Sequence, residues 1–330
     1  MKKRILTGDR PTGKLHLGHY VGSLKNRLKL QDEYEVYLLV ADLHALTTNQ
    51  DTSAMKQNIK DLVLDQLAIG IDPKKVSFCL QSKIPEAQEL FTIFSMLVGI
   101  TRLQRIPTLK DVMRDLHIQI PTLGLFSYPV LQASDILMVR AELVPVGKDQ
   151  ESHVELTREI AKEFNSTYGE VFPLPQALIP KGLGTLPGID GKMKMSKSLN
   201  NAIFLSDGEN EVEQKVMKMF TDPTRIHPTD PGHVEGNPVF IYLDAFGNEK
   251  DKATIAQLKS EYEKGSVGDV EVKKYLVKVL NEFLTPIRNR RKVLEKEVGL
   301  VEKILAEGTE KTRKEAAETL RQVKKAMSLL

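Results

Sequence analysis

Four short apolar runs, separated by stretches of helical pattern, constrain the fold of this chain most strongly. The runs lie at 4–7, 35–42, 76–81 and 143–146. Between and after them apolar residues recur with helical period, as Leu156, Ile160 and Phe164 do at intervals of four. This alternation predicts a parallel sheet with crossover helices on its faces. Ligands of such sheets bind beyond the carboxyl ends of the strands, so the loops after the first, second and fourth runs are candidate sites.

The length and composition set the class of protein. A chain of 330 residues with 41% hydrophobic and 28% charged residues has the composition of a globular protein of about two domains. No run approaches the roughly 18 apolar residues that span a bilayer, and the basic start is not followed by an apolar segment. The single cysteine, Cys79, cannot form an internal disulfide and is predicted to be a buried strand residue. We therefore expect no membrane association and a cytoplasmic location.

A turn-rich segment divides the chain. Prolines and glycines crowd 221–238, and the stretches 253–262, 271–291 and 309–327 beyond it are rich in helix formers, with Asp269 as a candidate cap. The sequence predicts a larger α/β domain at 1–205 and a smaller helical C-terminal domain at 206–330. Residues 271–330 hold 15 basic and 9 acidic side chains, which suits either a polyanionic partner or an ordinary solvated helix surface.

The segment 87–100 differs from the other predicted helices because it has almost no polar face. Its apolar residues include Leu90, Phe94 and Val98. Two interpretations stay open for it: a helix in the central core, or an interface between subunits.

A glycine-rich turn follows the first apolar run and leads into a helix. We call residues 8–19 the phosphate loop; it contains three glycines and ends in His-Leu-Gly-His at 16–19. Glycines let the backbone approach a ligand closely, and a helix N-terminus favours anions. The imidazoles of His16 and His19 would donate hydrogen bonds to phosphates and, when protonated, offset their charge. Taken alone, the motif also suits a capped helix start with two exposed histidines.

A second basic motif strengthens the interpretation as a nucleotide site. The lysine loop, residues 191–198, reads Gly-Lys-Met-Lys-Met-Ser-Lys-Ser. Lys194 and Lys197 can reach β- and γ-phosphates, and Ser196 can hydrogen-bond them. Mg²⁺ would be shared between the phosphates and water, so we expect no protein metal ligands.

These two motifs resemble the HIGH and KMSKS signatures of class I aminoacyl-tRNA synthetases. Further stretches, at 42–47, 70–73, 128–137 and 143–158, are similar to bacterial tryptophanyl-tRNA synthetases, and the resemblance runs from Arg4 to about Lys325. It implies a Rossmann-like, doubly wound parallel sheet of the α/β class, ATP and L-tryptophan as substrates with Mg²⁺, tRNA(Trp) as partner, and a homodimer. The basic segment 288–292 would meet the anticodon region through phosphate contacts.

The resemblance also assigns site residues by position. His16, His19, Lys194 and Lys197 would be catalytic by stabilising charge. The backbone of Leu186 would lie near adenine and residues 147–149 near the ribose. In full, the residues implied to bind ATP are Arg10, Pro11, Thr12, Gly18, His19, Gly147, Lys148, Asp149, Leu186, Lys194, Met195, Ser196, Lys197 and Ser198.

The amino-acid pocket can be argued from chemistry as well. Indole has one donor and no acceptor, so a selective pocket needs a single buried acceptor at the end of an apolar slot, which Asp135 would supply. With Pro129 at the first helical position, Gln132 and Asp135 would share a helix face. The residues implied to bind tryptophan are Asp135, Tyr128, Gln150, Gln132, His44, Leu6, Gly8, Val144 and Val146.

Three positions depart from the family pattern, and alternatives remain. Gln132 stands where the family usually has Met, Lys148 where an acidic residue is common, and Leu6 where an aromatic is frequent. Tyrosyl-tRNA synthetases carry the Gln-x-x-Asp pair, so the same reaction with tyrosine is one alternative. A non-tRNA nucleotidyltransferase and a non-catalytic synthetase paralogue are the others.

Overall fold

A five-stranded sheet forms the centre of the protein. The computed structural model describes residues 2–179, 185–191, 193–197, 199–225, 227 and 229–329. The strands are β1 (Arg4–Asp9), β2 (Glu35–Val40), β3 (Val76–Leu80), β4 (Leu143–Pro145) and β5 (Gln176–Leu178). All are parallel, in the order β3-β2-β1-β4-β5. The order reverses between β1 and β4, which is where ligands bind in doubly wound sheets.

The four predicted runs form the first four strands, so the predicted α/β fold is confirmed. β5 was missed because it is three residues long and partly exposed, and so lacks an apolar run. Cys79 is fully buried in β3, as predicted.

Helices cover both faces of the sheet. In the first half of the chain they are α1 (Leu17–His19), α2 (Lys25–Glu33), α3 (Asp42–Ala45), α4 (Met55–Ile69), α5 (Pro85–Ser95), α6 (Ile100–Leu103), α7 (Pro107–Asp115), α8 (Leu123–Met138) and α9 (Glu151–Tyr168). A π-helical turn spans Tyr20–Leu24, and 3₁₀ turns span Gln81–Lys83 and Lys148–Gln150. Val36, Leu38 and Val40 pack into one apolar core, whereas Tyr37 and Leu39 pack into the other. Successive strand residues thus bury against opposite helix layers.

The second half is helical in the regions that the sequence predicts. Its helices are α10 (Glu209–Met217), α11 (Pro238–Phe246), α12 (Lys252–Glu263), α13 (Asp269–Leu294) and α14 (Leu300–Ala326). Asp269 is the first helical residue of α13, and Gly268 occupies the cap position that the sequence analysis gave to Asp269.

α14 returns to the catalytic region and lies against the edge strand β3. The Thr309 hydroxyl accepts a hydrogen bond from the Leu80 amide at 3.0 Å. A Cβ on Gly308 would lie 2.0 Å from the Phe78 carbonyl oxygen, so glycine is needed for this close approach. α14 therefore covers a sheet edge. These contacts cross the domain boundary predicted at residue 205, which itself stays a prediction.

Two helical predictions need correction. Pro129 lies inside α8, because that helix begins six residues earlier, where the Thr122 hydroxyl caps it by accepting from the Leu125 amide at 3.2 Å. The segment 87–100 is divided: α5 ends at Ser95 with Leu90 and Phe94 fully buried, and beyond it Met96 and Ile100 are 77% and 68% exposed.

Candidate active site

A cleft of about 1200 Å³ opens at the carboxyl ends of β1, β2 and β4. It brings together most of the residues that the sequence singled out. The predicted residues that line it are Leu6, Gly8, Arg10, Thr12, His16, Gly18, His19, His44, Tyr128, Gln132, Asp135, Val144, Val146, Gly147, Asp149, Gln150, Leu186, Lys194, Met195, Ser196 and Lys197. Pro11 and Lys148 do not line it, and Ser198 lies outside the described residues.

Close backbone contacts shape the phosphate loop. A Cβ on Gly8 would lie 2.5 Å from the carbonyl oxygen of Leu39 in the neighbouring strand. A Cβ on Gly18 would approach the His16 ring to 3.0 Å. Packing therefore requires glycine at position 8, whereas a Cβ at position 18 would need a small shift of the His16 ring. The π-helical turn that follows places Gly22 and Ser23 on the wall of the cleft.

The two histidines of the loop lie against each other. Their ring centroids are 3.7 Å apart, and the His16 amide donates to Nδ1 of His19 at 3.2 Å. An Nδ1 that accepts leaves the proton of neutral His19 on Nε2, as a donor. Burial, with smaller effects from the nearby lysines, lowers the pKa of His16 to about 3. Burial, together with Lys197, likewise lowers the pKa of His19 to about 4.

Both imidazoles are thus neutral near pH 7 in this state of the site. They can serve phosphates as hydrogen-bond donors. Nδ1 of His16 is buried with no hydrogen-bond partner among the described residues.

An ion pair lies beneath the phosphate loop. The Asp9 carboxylate accepts from both terminal nitrogens of Arg27, at 3.1 Å in the longer contact, and from Gln66 Nε2 at 3.2 Å. Burial alone would raise the pKa of Asp9, but Arg27 holds it below its usual value. The same Arg27 donates to the Thr7 hydroxyl at 3.1 Å. This cluster fixes the end of β1.

The lysine loop closes over the phosphate loop. Nζ of Lys197 donates to the Gly13 carbonyl at 2.9 Å and to the Thr12 hydroxyl at 3.2 Å. Burial lowers the pKa of Lys197 to about 8. The Met195 amide donates to the Leu186 carbonyl at 3.0 Å, which fixes the base of the loop. Lys194 is exposed to the cleft. The two motifs, remote in sequence, therefore form one cationic site.

The far end of the cleft is an apolar slot closed by Asp135. This carboxylate is 1% exposed, and its Oδ2 accepts from Gln81 Nε2 at 2.8 Å and contacts His44 Nε2 at 2.9 Å. Its Oδ1 is buried without a partner among the described residues. Burial raises the pKa of Asp135, and the bonds from His44 and Gln81 oppose that shift. One acceptor atom is therefore left for a ligand donor.

A buried histidine organises the polar side of the slot. His153 is 1% exposed. Its Nδ1 contacts Gln132 Oε1 at 2.6 Å. Its Nε2 contacts the hydroxyls of Thr108 at 2.5 Å and Tyr128 at 3.3 Å. Burial lowers its pKa to about 4, so the ring is neutral. The predicted face is present, since Gln132 and Asp135 both reach the cleft from α8.

Arg27, Gln81 and His153 are among the residues of the site that were not singled out from the sequence. His153 lies in the stretch 143–158 that carries the family resemblance, and this position could have indicated that it belongs to the site. For Arg27 and Gln81 no local pattern was available, because each is identified by a buried partner distant in sequence.

The structure buries part of the basic segment 288–292, whose contact with tRNA stays a prediction. Arg288 and Arg291 are 8% and 5% exposed. Arg288 donates to the Asp207 carbonyl at 3.1 Å, and Arg290 donates to the Ala68 carbonyl at 2.6 Å. Arg288 and Arg291 thus connect α13 to the rest of the protein, whereas Arg290 and Lys292 are exposed.

Comparison with known proteins places this site in a family. The family model for tRNA synthetases class I (W and Y) matches residues 1–285, and the chain belongs to this family. The class is thus that of enzymes that join amino acids to tRNA.

Individual relatives narrow the amino acid joined to tRNA to tryptophan. A tryptophan–tRNA ligase from Treponema pallidum is 54% identical over 99% of this chain and 97% of its own length, and one from Borreliella burgdorferi is 51% identical over 100% and 95%. A tryptophanyl-tRNA synthetase from Campylobacter jejuni, crystallised with ADP and tryptophan, superimposes with a TM-score of 0.87 at 35% identity over 98% of this chain and 99% of its own.

The described residues contain neither a cluster of metal ligands nor a helix that could span a membrane. No group of three or more His, Cys, Asp or Glu side chains there is arranged to hold a metal ion. Among the described helices, none has the length and hydropathy needed to cross a membrane.

Proposed function

We propose that this chain activates L-tryptophan with ATP and transfers it to tRNA(Trp), the reaction of a tryptophan–tRNA ligase. The observation that carries the proposal is the single cleft in which the phosphate and lysine loops lie at one end and the unpartnered Oδ1 of Asp135 at the other. A nucleotide and an amino acid with one side-chain donor fit these two ends. The full-length relatives at about half identity carry the same activity in their names.

ATP would bind at the loops. Lys197 would exchange its contacts with Thr12 and Gly13 for contacts with the triphosphate. The Nε2–H group of His19 would donate a hydrogen bond to a phosphate oxygen. A carboxylate oxygen of tryptophan then attacks the α-phosphorus, and pyrophosphate leaves with the bonding electrons. The protein needs no nucleophile of its own, since positioning and charge stabilisation are sufficient.

Mg²⁺ would accompany the phosphates. Phosphate oxygens and water would hold this ion. When bound, it would offset negative charge on the triphosphate.

Tryptophan would occupy the apolar slot. The indole N–H would donate to Oδ1 of Asp135, while Leu6 and Val144 line the cleft beside it. The Tyr128 hydroxyl and Gln150 would hold the α-amino group. A site with a buried acceptor rejects amino acids that lack the donor far better than apolar contacts do.

The second step completes the reaction. A ribose hydroxyl at the 3′ end of tRNA(Trp) attacks the carbonyl carbon of the adenylate, and AMP leaves. ATP and tRNA are cytoplasmic substrates, and we place the protein in the cytoplasm on that ground. With Arg288 and Arg291 buried, exposed basic residues elsewhere on α13 and α14, such as Lys292 and Lys314, are the candidates for phosphate contacts.

The protein would act as a homodimer. Met96, Ile100, Ile120 and Leu123 are 77%, 68%, 88% and 80% exposed, and they lie within one stretch of the chain, at the ends of α5 to α8. Large apolar side chains exposed in one region are typical of a subunit interface.

The test is amino-acid-dependent exchange of labelled pyrophosphate into ATP in the presence of Mg²⁺. Tryptophan should support exchange, and tyrosine should not. Exchange with tyrosine would favour the tyrosyl alternative that Gln132 suggested. No exchange with any amino acid would favour the non-catalytic paralogue, and exchange without an amino acid would favour another nucleotidyltransferase. Asp135→Asn should raise the KM for tryptophan at least tenfold and leave the KM for ATP unchanged.

A further inference from the structure

A buried carboxylate beneath the phosphate loop has no part in the mechanism above. Asp65 lies on α4, and its side chain is 1% exposed. Its Oδ2 accepts from the backbone amide of Leu15 at 2.7 Å, directly before His16. Its Oδ1 forms an ion pair with Nη1 of Arg291 on α13. Neither Asp65 nor Arg291 lines the cleft.

Arg291 is itself held in a carboxylate cluster. Its Nη2 contacts Oδ1 of Asp61 at 2.5 Å, one helical turn from Asp65, and its Nε contacts Glu295 at 2.8 Å. The guanidinium is 6% exposed. A buried charge that loses its partner is strongly destabilising, so this cluster holds each of its members in one place.

The charges around Asp65 keep it ionised. Burial raises its pKa to about 6, with a further increase from Asp61, while Arg291 and the Leu15 amide oppose the rise. On the other side of the loop lies the ammonium of Lys197, which is bonded to Gly13 and Thr12. Residues 12–15 are thus held between Lys197 and Asp65.

We propose that Asp65 is a positioning residue that holds the phosphate loop in its ATP-binding conformation through the Leu15 amide, and that Arg291 holds Asp65 in place, so that α13 sets the geometry of the ATP site. This inference rests on the proposed function, because it takes the loop to be the ATP site. It assigns to the helical part of the chain a role in the first step of the reaction.

Asp65→Asn is the sharpest test because it is nearly isosteric. The site presents two donors, the Leu15 N–H and Arg291 Nη1, whereas an amide has one acceptor oxygen. One of the two bonds must therefore be lost. We expect the KM for ATP in pyrophosphate exchange to rise about tenfold, as for loss of one bond to a charged group. The KM for tryptophan should stay within about twofold of the wild type.

Asp61→Asn is the matched control. It removes the charge of a second carboxylate that pairs with Arg291 and lies on the same helix. Among the described residues, however, the Asp61 side chain bonds to Arg291 alone, through one oxygen. It should lower the melting temperature as Asp65→Asn does and leave the KM for ATP within about twofold. Equal KM values for ATP in the two variants would overturn the proposal.

Hydrogen exchange of the peptide covering residues 10–19, without ATP, gives a second measurement. We expect faster exchange in Asp65→Asn and, by a smaller factor, in Arg291→Lys, which keeps a charge but loses the fork of donors. Exchange unchanged from the wild type in Arg291→Lys would overturn the role of α13, even if Asp65→Asn does not fold. If the wild type had no tryptophan-dependent activity, the proposed function would be contradicted. The hydrogen-exchange rates would still test whether Asp65 and Arg291 hold the loop.

Discussion

Lys197 is one of the side chains through which the lysine loop contacts the phosphate loop. Its ammonium is partly buried and bonded to two groups of that loop. We predict that Lys197→Ala lowers the rate of tryptophan-dependent pyrophosphate exchange about 100-fold, because a preorganised cation is lost where charge develops. Tryptophan affinity should not change. The chain contains no Trp, so the fluorescence of the bound substrate reports its binding directly.

Lys60→Ala is a suitable control, because Lys60 is exposed on α4 and away from the cleft. Unchanged exchange in Lys197→Ala would refute the role given to the lysine.

His153 makes the stability of the folded protein depend on pH. The pKa of this buried ring is about 4 in the folded protein and near 6.5 in the unfolded chain. Because the folded pKa is the lower one, the unfolded state binds the proton first as the pH falls. The stabilisation is complete above pH 6.5 and is lost between pH 6.5 and 4, by about 2 kcal/mol at pH 5.

Urea unfolding at pH 7.5 and pH 5 measures this change. His16 and His19, whose pKa values are also lowered, act in the same direction. His153→Gln, which cannot take up the proton, should lose less stability over this interval than the wild type. An equal loss in both proteins would show that His153 is not responsible.

At the scale of elements, the contact of α14 with β3 depends on one residue without a side chain. Gly308 lies inside a helix, where alanine would ordinarily stabilise by up to about 1 kcal/mol. Here a Cβ would lie 2.0 Å from the Phe78 carbonyl oxygen. We predict that Gly308→Ala destabilises the protein by about 1–3 kcal/mol, because the helix must move away from the strand. Chemical denaturation measures the difference.

Gly124, in α8, is the control, since the nearest atom to its Cβ position is 4.0 Å away. Gly124→Ala should be neutral or stabilising. If both alanine variants were equally stable, the close approach of α14 would not be what requires glycine at 308.

The elements themselves were largely predictable. Strands β1 to β4 and helices α12 to α14 follow from apolar runs and helix-forming composition, which are local properties. β5, the helices α10 and α11, and the first residues of α8 and α14 were not predicted. α8 begins before Pro129 because Thr122 supplies the cap, and a proline inside a helix cannot be recognised from spacing alone.

For the whole molecule, the exposed apolar side chains between residues 96 and 123 predict a dimer. Ile120, at 88%, is the most exposed of them. We predict that the wild type sediments as a dimer and that Ile120→Asp weakens the association at least tenfold, because a charge would be buried at the interface. Sedimentation over a range of concentrations measures this.

Val298→Asp is the matched control, because Val298 is fully exposed in the loop between α13 and α14. It should leave the association unchanged. A monomeric wild type would contradict the dimer, and so would an Ile120→Asp variant that associates as strongly as the wild type.

The sequence by itself determined the parallel sheet, the positions of the phosphate and lysine loops and the family, because alternating hydrophobicity and compact motifs are written in neighbouring residues. Tertiary structure decided which polar groups bond within the fold. It buried Arg291 against Asp65 and Asp61, left one oxygen of Asp135 without a partner among the described residues, and placed α14 over the edge of β3. Buried polar groups must find partners, and these partners lie up to 230 residues away in the chain.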